Sequence, residues 1–257
     1  MGMFELKDIK VKRDGRMILD ISAMTLDTNA FTVILGHNGS GKSTLLNLLA
    51  RQWQTDDGMI TLDNKALSHF SQRELAKNIA YLPQLLPEVA GLTVKELVRL
   101  GRFPWRGTLG RWCNEDTEII NEAMLKTDVM QYQDVLADQL SGGERQRAWI
   151  AMLLAQMSPV LLLDEPTSAL DLSHQYDLMQ LFKKLNQETG KGVVVVLHDI
   201  NLALRFADKV VALRKGKVFM EGQIDQLLDQ QKLSELYDIP VQILDLPGKN
   251  RKVVYVS

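Results

Sequence analysis

Gly36-His37-Asn38-Gly39-Ser40-Gly41-Lys42-Ser43-Thr44 lies between the run Phe31-Thr32-Val33-Ile34-Leu35 and the run Leu45-Leu46-Asn47-Leu48-Leu49-Ala50. The nine residues fit the phosphate-loop pattern G-x-x-x-x-G-K-[ST] at Gly36, Gly41, Lys42 and Ser43. Glycines let the backbone curl so that successive N–H groups point into one concavity, which suits an anion. Lys42 adds a positive charge within reach of β- and γ-phosphates, and the Ser43 hydroxyl is a hard oxygen ligand for Mg²⁺. The preceding run reads as a strand buried on both faces. The following run reads as a helix, so the loop sits at a helix N-terminus, where unpaired N–H groups and the dipole favour phosphate.

The remaining strands and helices extend from that unit in both directions. Phe4, Leu6, Ile9 and Val11 are spaced for a partly buried strand, Arg13-Asp14-Gly15-Arg16 for a turn, and Met17-Ile18-Leu19 for the antiparallel return. Thr55-Asp56-Asp57-Gly58 is a second turn, before Met59-Ile60-Thr61-Leu62. Ser71 to Glu74, Thr93 to Glu96 and Ser141 to Glu144 have capping-box spacing, and Asn114 is placed to cap a helix carrying Ile119, Ile120, Ala123 and Met124. From Leu85 to about Ser158 the pattern is helical, a block inserted into an α/β core. The core resumes with Val160-Leu161-Leu162-Leu163, a helix ended by Gly190, the run Val193 to Leu197, a helix capped by Asp199, and a hairpin around Lys215-Gly216. Residues 226–257 read as a short mixed tail.

Composition sets limits. The chain has 257 residues, 46% of them apolar and 24% charged, as expected for one large domain or a domain with a subdomain. A net charge of −2 gives no global drive toward nucleic acid or an anionic membrane. The lone Cys113 rules out an internal disulfide and fits a reducing compartment. The N-terminus lacks the basic and apolar regions of a signal peptide, and no apolar run reaches the roughly 18 residues of a membrane span. Membrane association is therefore expected through a partner.

Four apolar strands end in chemically capable residues: the phosphate loop, Gln84, Asp164-Glu165 and His198. Ligands of parallel α/β sheets bind at the carboxyl ends of strands. Asp164, after four apolar residues, suits Mg²⁺, held directly or through water. Two adjacent carboxylates repel unless a cation is near, which makes Glu165 the natural general base for an attacking water. Gln84 can ligate Mg²⁺ or orient water, and His198 lies where it can meet a γ-phosphate. Leu140-Ser141-Gly142-Gly143-Glu144 is a Gly-rich, Ser-capped helix start and so a second anion site.

Leu140 to Glu144 resembles the signature motif of the ATP-binding-cassette (ABC) ATPases. The other marks of that family stand in order: Gln84 as its Q-loop, Asp164-Glu165 as Walker B, Ser168-Ala169-Leu170-Asp171 as its D-loop, and His198 as its switch histidine. The resemblance covers residues 3 to about 225. It implies an α/β P-loop NTPase fold with a mostly parallel core sheet, an N-terminal antiparallel β subdomain and an inserted helical subdomain at about 85–158. It implies ATP and Mg²⁺ as ligands and a head-to-tail homodimer. Residues Gly36 to Thr44 of one chain, with Ser43, Gln84 and Asp164 toward the metal, then face Ser141, Gly142 and Gly143 of the other. Glu165 polarises water and His198 contacts the γ-phosphate. Many members stack an aromatic residue near position 13 on adenine; here Lys12 and Arg13 stand there, and the planar Arg13 guanidinium is the substitute. Without it adenine is held loosely.

Gly91 to Trp105, Ala148 to Met152 and Ala169 to Gln175 look like the iron-chelate importer subgroup, and with Gly36-His37-Asn38-Gly39 most like its ferric hydroxamate (ferrichrome-type) branch. The implied function is ATP-driven uptake of ferric siderophores from the cytoplasmic face of a bacterial inner membrane. It works with integral-membrane permease subunits and, indirectly, a periplasmic substrate-binding protein; haem and vitamin B12 are alternative cargoes. A soluble ABC ATPase of nucleic-acid maintenance is the reading from another class. Repair types carry a long coiled-coil insertion and translation types two cassettes, whereas only about a hundred residues separate the motifs here. Arg102, Trp105, Arg106, Arg111 and Trp112 form a basic and aromatic stretch, read as a permease-docking surface ahead of a solvated loop or a single-stranded nucleic-acid site.

Overall fold

The computed structural model describes residues 2–107, 111–245 and 252–256. These divide into two compact units, one from the N-terminus to Leu67 plus Gly192 onward, the other Ser68–Lys191. The first unit opens with β1 (Met3–Arg13) and β2 (Arg16–Asp27), paired antiparallel across the expected turn. β3 (Phe31–Leu35) is buried along its whole length and leads through the phosphate loop into α1 (Lys42–Leu49). β4 (Asp57–Leu62) pairs with β1, and β5 (Lys65–Ala66) with β4. Phe4 and Leu6, then Ile9 and Val11, are buried. The step of three between Leu6 and Ile9 breaks strict alternation, and the cause is a bulge. Asp8 has φ 52°, and the β1–β4 register shifts between Lys7 and Lys10. Gly58 makes room for it: a Cβ there would lie 2.4 Å from the carbonyl oxygens of Lys7 and Asp8.

The second unit contains α2 (Gln72–Asn78), β6 (Ile79–Leu82), α3 (Val94–Leu100), α4 (Phe103–Arg106), α5 (Asn114–Lys126), α6 (Gly142–Ala155), β7 (Val160–Asp164) and α7 (Leu172–Thr189). All three expected capping boxes form, at Ser71, Thr93 and Ser141. The expected cap of α5 is corrected by one residue. Cys113 takes that position, because the Asp116 carboxylate accepts its N–H at 3.2 Å, and Asn114 becomes the first helical residue. Val94, Leu97 and Val98 of α3, Ile120 and Met124 of α5, and Ile150 and Ala151 of α6 are all buried. β6 and β7 run parallel.

The chain re-enters the first unit with β8 (Gly192–Val196), α8 (Ile200–Phe206), β9 (Lys209–Arg214) and β10 (Lys217–Gln223). β8 and β9 flank β3, both parallel to it, and β10 returns antiparallel on β9. The mixed tail has regular structure: α9 (Gln230–Tyr237), capped by Asp229, and a hairpin of β11 (Val241–Asp245) and β12 (Lys252–Val256). No helix among the described residues is long and apolar enough to cross a membrane.

Candidate functional site

In the first unit, parallel register brings two predicted groups to one edge. Ile34 pairs with Val196, so Gly36 and His198 each leave the sheet two residues further on, at its carboxyl side. The loop between Gly36 and Ser43 is packed too tightly for side chains at two of its glycines. A Cβ on Gly36 would lie 2.2 Å from the Leu213 carbonyl oxygen, and one on Gly41 2.5 Å from Leu19 Cδ2. Lys42 is buried, and its Nζ donates to the carbonyl oxygens of Gly36 (2.8 Å) and His37 (3.0 Å), which holds the ammonium across its own loop. The Ser40 hydroxyl is buried without a hydrogen-bond partner among the described residues, and Thr44 is buried too. His37, Asn38 and Gly39 are exposed and Ser43 half-buried. A Gly-lined cradle, a buried ammonium and an orphaned hydroxyl fit the phosphate chain of a nucleotide. His198 is exposed, and Asp199 behind it caps α8 by accepting the N–H groups of Asn201 (2.7 Å) and Leu202 (3.2 Å).

Arg13 is exposed, and its guanidinium lies over the Trp53 ring, 5.3 Å from the centroid. Trp53 is itself 43% exposed. The aromatic residue beside Arg13 is not a sequence neighbour but Trp53, which follows α1 in the chain.

In the second unit a parallel pair again aligns two groups. Leu82 pairs with Leu163, so Gln84 and Glu165 stand level, and the Gln84 amide donates to the Glu165 carboxylate at 2.7 Å. Asp164 is buried at the end of β7. Glu165 is half-buried with φ 50°, a left-handed conformation that a non-glycine residue holds only where its surroundings enforce it. Those surroundings are visible. Ser168 donates its hydroxyl (3.0 Å) and its N–H (3.2 Å) to the Glu165 carbonyl, and the buried Gln146 of α6 donates to the Pro166 carbonyl at 2.5 Å. Asp171 caps α7, and its carboxyl is held down at about 2 by the His174 N–H, then by the Ser173 hydroxyl and the His174 ring.

At the start of α6 the Ser141 hydroxyl donates to the Glu144 carboxylate at 2.7 Å, and the Ser141 N–H does so at 2.9 Å. The Ser141 hydroxyl, with Tyr132 next, holds the Glu144 carboxyl at about 2. Ser141 and Gly142 are exposed and Gly143 half-buried. A Cβ on Gly142 would meet nothing within 4 Å among the described residues, so their packing does not demand a glycine there. The hydroxyl of Ser43 in the first unit, and the amide of Gln84 and carboxylate of Asp164 in the second, are each oxygen donors of a kind that a hard cation such as Mg²⁺ takes.

The basic and aromatic stretch is only partly a surface. Arg102 is 5% exposed and bonds Asp116 Oδ1 and the Ala155 carbonyl, both at 3.0 Å, which removes it from any docking face. Arg106 joins Asp116 at 2.7 Å, and the Trp105 indole donates to the Gln156 carbonyl at 2.7 Å. Arg111 and Trp112 remain exposed; Arg99 lies over the Trp112 ring at 3.8 Å, beside a groove lined by Thr93, Glu96, Thr117 and Ile120. Residues 108–110 of the stretch lie outside the described residues.

Comparison with known proteins gives a match to the ABC transporter family model over residues 19–168. The iron(3+)-hydroxamate import ATP-binding protein of Bacillus subtilis is 38% identical, over 98% of this chain and 94% of that one. The ferric enterobactin transport ATP-binding protein of Escherichia coli is 42% identical, over 84% of this chain and 80% of that one. A dimeric ATP-binding cassette solved in a post-hydrolysis state with ADP and phosphate superposes with a TM-score of 0.77 at 33% identity, covering 86% of this chain and 98% of that one.

Proposed function

The chain belongs to the ABC transporter family, and we propose that it hydrolyses ATP to power uptake of a ferric siderophore, of the hydroxamate type, across a bacterial inner membrane. Residues 3–225 act as the ATPase domain, with a helical subdomain at about 85–158, and 226–257 as an appended tail. The nine residues from Gly36 to Thr44 bind the phosphates through backbone N–H groups and the Lys42 ammonium. Ser43, Gln84 and Asp164 hold Mg²⁺, which neutralises phosphate charge when bound. Arg13, with Trp53 beside it, offers adenine a planar cation.

The observation that carries the hydrolysis reading is the Gln84–Glu165 hydrogen bond. It aims a carboxylate, fixed on a strained backbone, as the base that takes a proton from the attacking water. Gln84 reports to that carboxylate, and His198 contacts the γ-phosphate. A second copy of the chain supplies Ser141, Gly142 and Gly143 to the nucleotide. The side-chain-free surface of Gly142, which packing among the described residues does not require, supports that arrangement. Closure of the two copies on ATP is the two-state element, and ATP favours the closed state only by its differential affinity. Integral-membrane permease subunits hold the pair at the cytoplasmic face and a periplasmic binding protein delivers the cargo. The exposed surface around Trp112 and Arg111 is the docking face for the permease.

The cargo assignment rests on the relatives, since this subunit does not touch the chelate. Its test is growth of a deletion strain on ferrichrome as sole iron source, with the chain supplied back. Rescue by the chain is expected. Normal growth of the deletion strain on ferrichrome would overturn the hydroxamate assignment, and haem, cobalamin or catecholate siderophores in the same assay would identify the cargo.

A further inference from the structure

The tail touches the phosphate-loop side and the histidine side of the first unit. Tyr237, at the end of α9, accepts a hydrogen bond from His37 Nε2 through its carbonyl oxygen, and the two rings meet edge-on with centroids 5.8 Å apart. Burial, and then the charge of Asp199, push the Tyr237 phenol up to about 12. Arg214 fixes the end of α9 by bonding Glu235 at 2.8 Å and Asp238 at 2.7 Å. The hairpin makes the other contact. The Asn201 side-chain amide donates to the Val254 carbonyl and accepts the Val254 N–H, both at 2.9 Å. Val254 stands opposite Ile243 in the β11–β12 pair, and both its backbone groups are engaged by Asn201. Asn201 thus grips β12 as a neighbouring strand would, from the first turn of α8 and three residues after His198.

We propose that Asn201 and the β12 backbone it grips at Val254 are positioning residues for His198, with α9 anchoring the same segment to the phosphate loop through His37. The inference rests on the reading of His198 as the γ-phosphate contact. α8 has only seven residues, and the Asp199 cap also holds its start. A second tether there restricts where an exposed imidazole sits, and a misplacement of about 1 Å at a reacting centre costs up to about 100-fold in rate.

The test uses the full chain with Val254→Pro and, separately, Asn201→Leu. Proline deletes the N–H that Asn201 accepts, on a strand edge where proline is tolerated, and keeps an apolar side chain at the buried position of Val254. Leucine removes both bonds from the other side while keeping the same branched outline of four side-chain heavy atoms. Steady-state ATP hydrolysis in Mg²⁺ is expected to show kcat lowered about tenfold with KM within about twofold of wild type. Each variant combined with His198→Ala should turn over no slower than His198→Ala alone, because a misplaced group has little left to lose. A merely structural role predicts multiplied losses in the double variants, and that result overturns the proposal. So do wild-type rates in Val254→Pro and Asn201→Leu alongside a slow His198→Ala. A wild-type rate in His198→Ala itself overturns the role of His198 and the proposal with it.

Discussion

Asp116→Asn tests what holds the helical insert together. Asp116 is solvent-inaccessible; it accepts from Arg102 Nε at 3.0 Å and from the Cys113 N–H at 3.2 Å, and is ion-paired with Arg106 Nε at 2.7 Å. Burial alone raises a carboxyl pKa. Here the bonds from Arg102, from Cys113 and from Arg106 outweigh it and hold the group at about 2. Asparagine keeps the shape and deletes the charge, leaving the Arg102 side chain, 6% exposed, buried without its counter-ion. Breaking a buried pair from one side costs about 3–5 kcal/mol. At about 2–4 °C per kcal/mol for a protein of this size, the melting midpoint should fall by roughly 10 °C. The pH dependence has a definite sign. A carboxyl whose folded pKa lies below its unfolded value stabilises the fold above the unfolded pKa, and that contribution is lost as pH falls from about 4 toward 2. Wild type should therefore lose roughly 2–3 kcal/mol through that window, and Asp116→Asn should lack that share of the acid sensitivity. Circular-dichroism melts at neutral pH and through an acid series read both effects. A neutral-pH midpoint unchanged within about 2 °C would refute the reasoning, as the bond network would then carry no net stability. Asp116→Leu with Arg102→Met should melt above either single variant, since an apolar pair leaves no buried charge.

Three further outcomes are expected. Lys42→Ala should weaken ATP binding at least about 100-fold in a fluorescent-nucleotide titration, from loss of charge-assisted bonds, and unchanged affinity would remove the phosphate-loop assignment. Gly58→Ala should destabilise the first unit by about 1–3 kcal/mol in urea titration, because φ is +84° and the new Cβ would meet the Lys7 and Asp8 carbonyls at 2.4 Å. Gly142→Val should leave the melting midpoint nearly unchanged, as open space surrounds that Cβ, yet lower turnover about tenfold by obstructing the partner's nucleotide. Normal turnover in that variant would count against the trans role of the signature helix.

What the sequence disclosed follows from the range over which each signal acts. The capping boxes at Ser71, Thr93 and Ser141 and the caps at Asp199 and Gly190 are local, and each formed where its spacing indicated. Strand ends were legible because β3, β6, β7 and β8 are buried runs whose first polar residues mark the edge. The parallel register that sets Gln84 level with Glu165 was not, since nothing in either strand encodes its partner. The Asp8 bulge had a visible trace in the step from Leu6 to Ile9. Arg102 was misjudged as surface because its partner Asp116 lies fourteen residues away across an aperiodic segment. The tail gave no strong period: α9 has eight residues and the hairpin strands five each, too short to stand out. Trp53 was overlooked because its neighbour Arg13 is forty positions earlier, brought close only by tertiary packing.

The most direct measurement is phosphate release from Mg²⁺–ATP by the purified chain, beside its Glu165→Gln form, with the oligomeric state read by light scattering. The account predicts turnover in wild type, a loss of about 10²–10⁴-fold in Glu165→Gln, and an ATP-dependent dimer that persists in the variant because only the general base is gone. Wild-type hydrolysis in Glu165→Gln would contradict it.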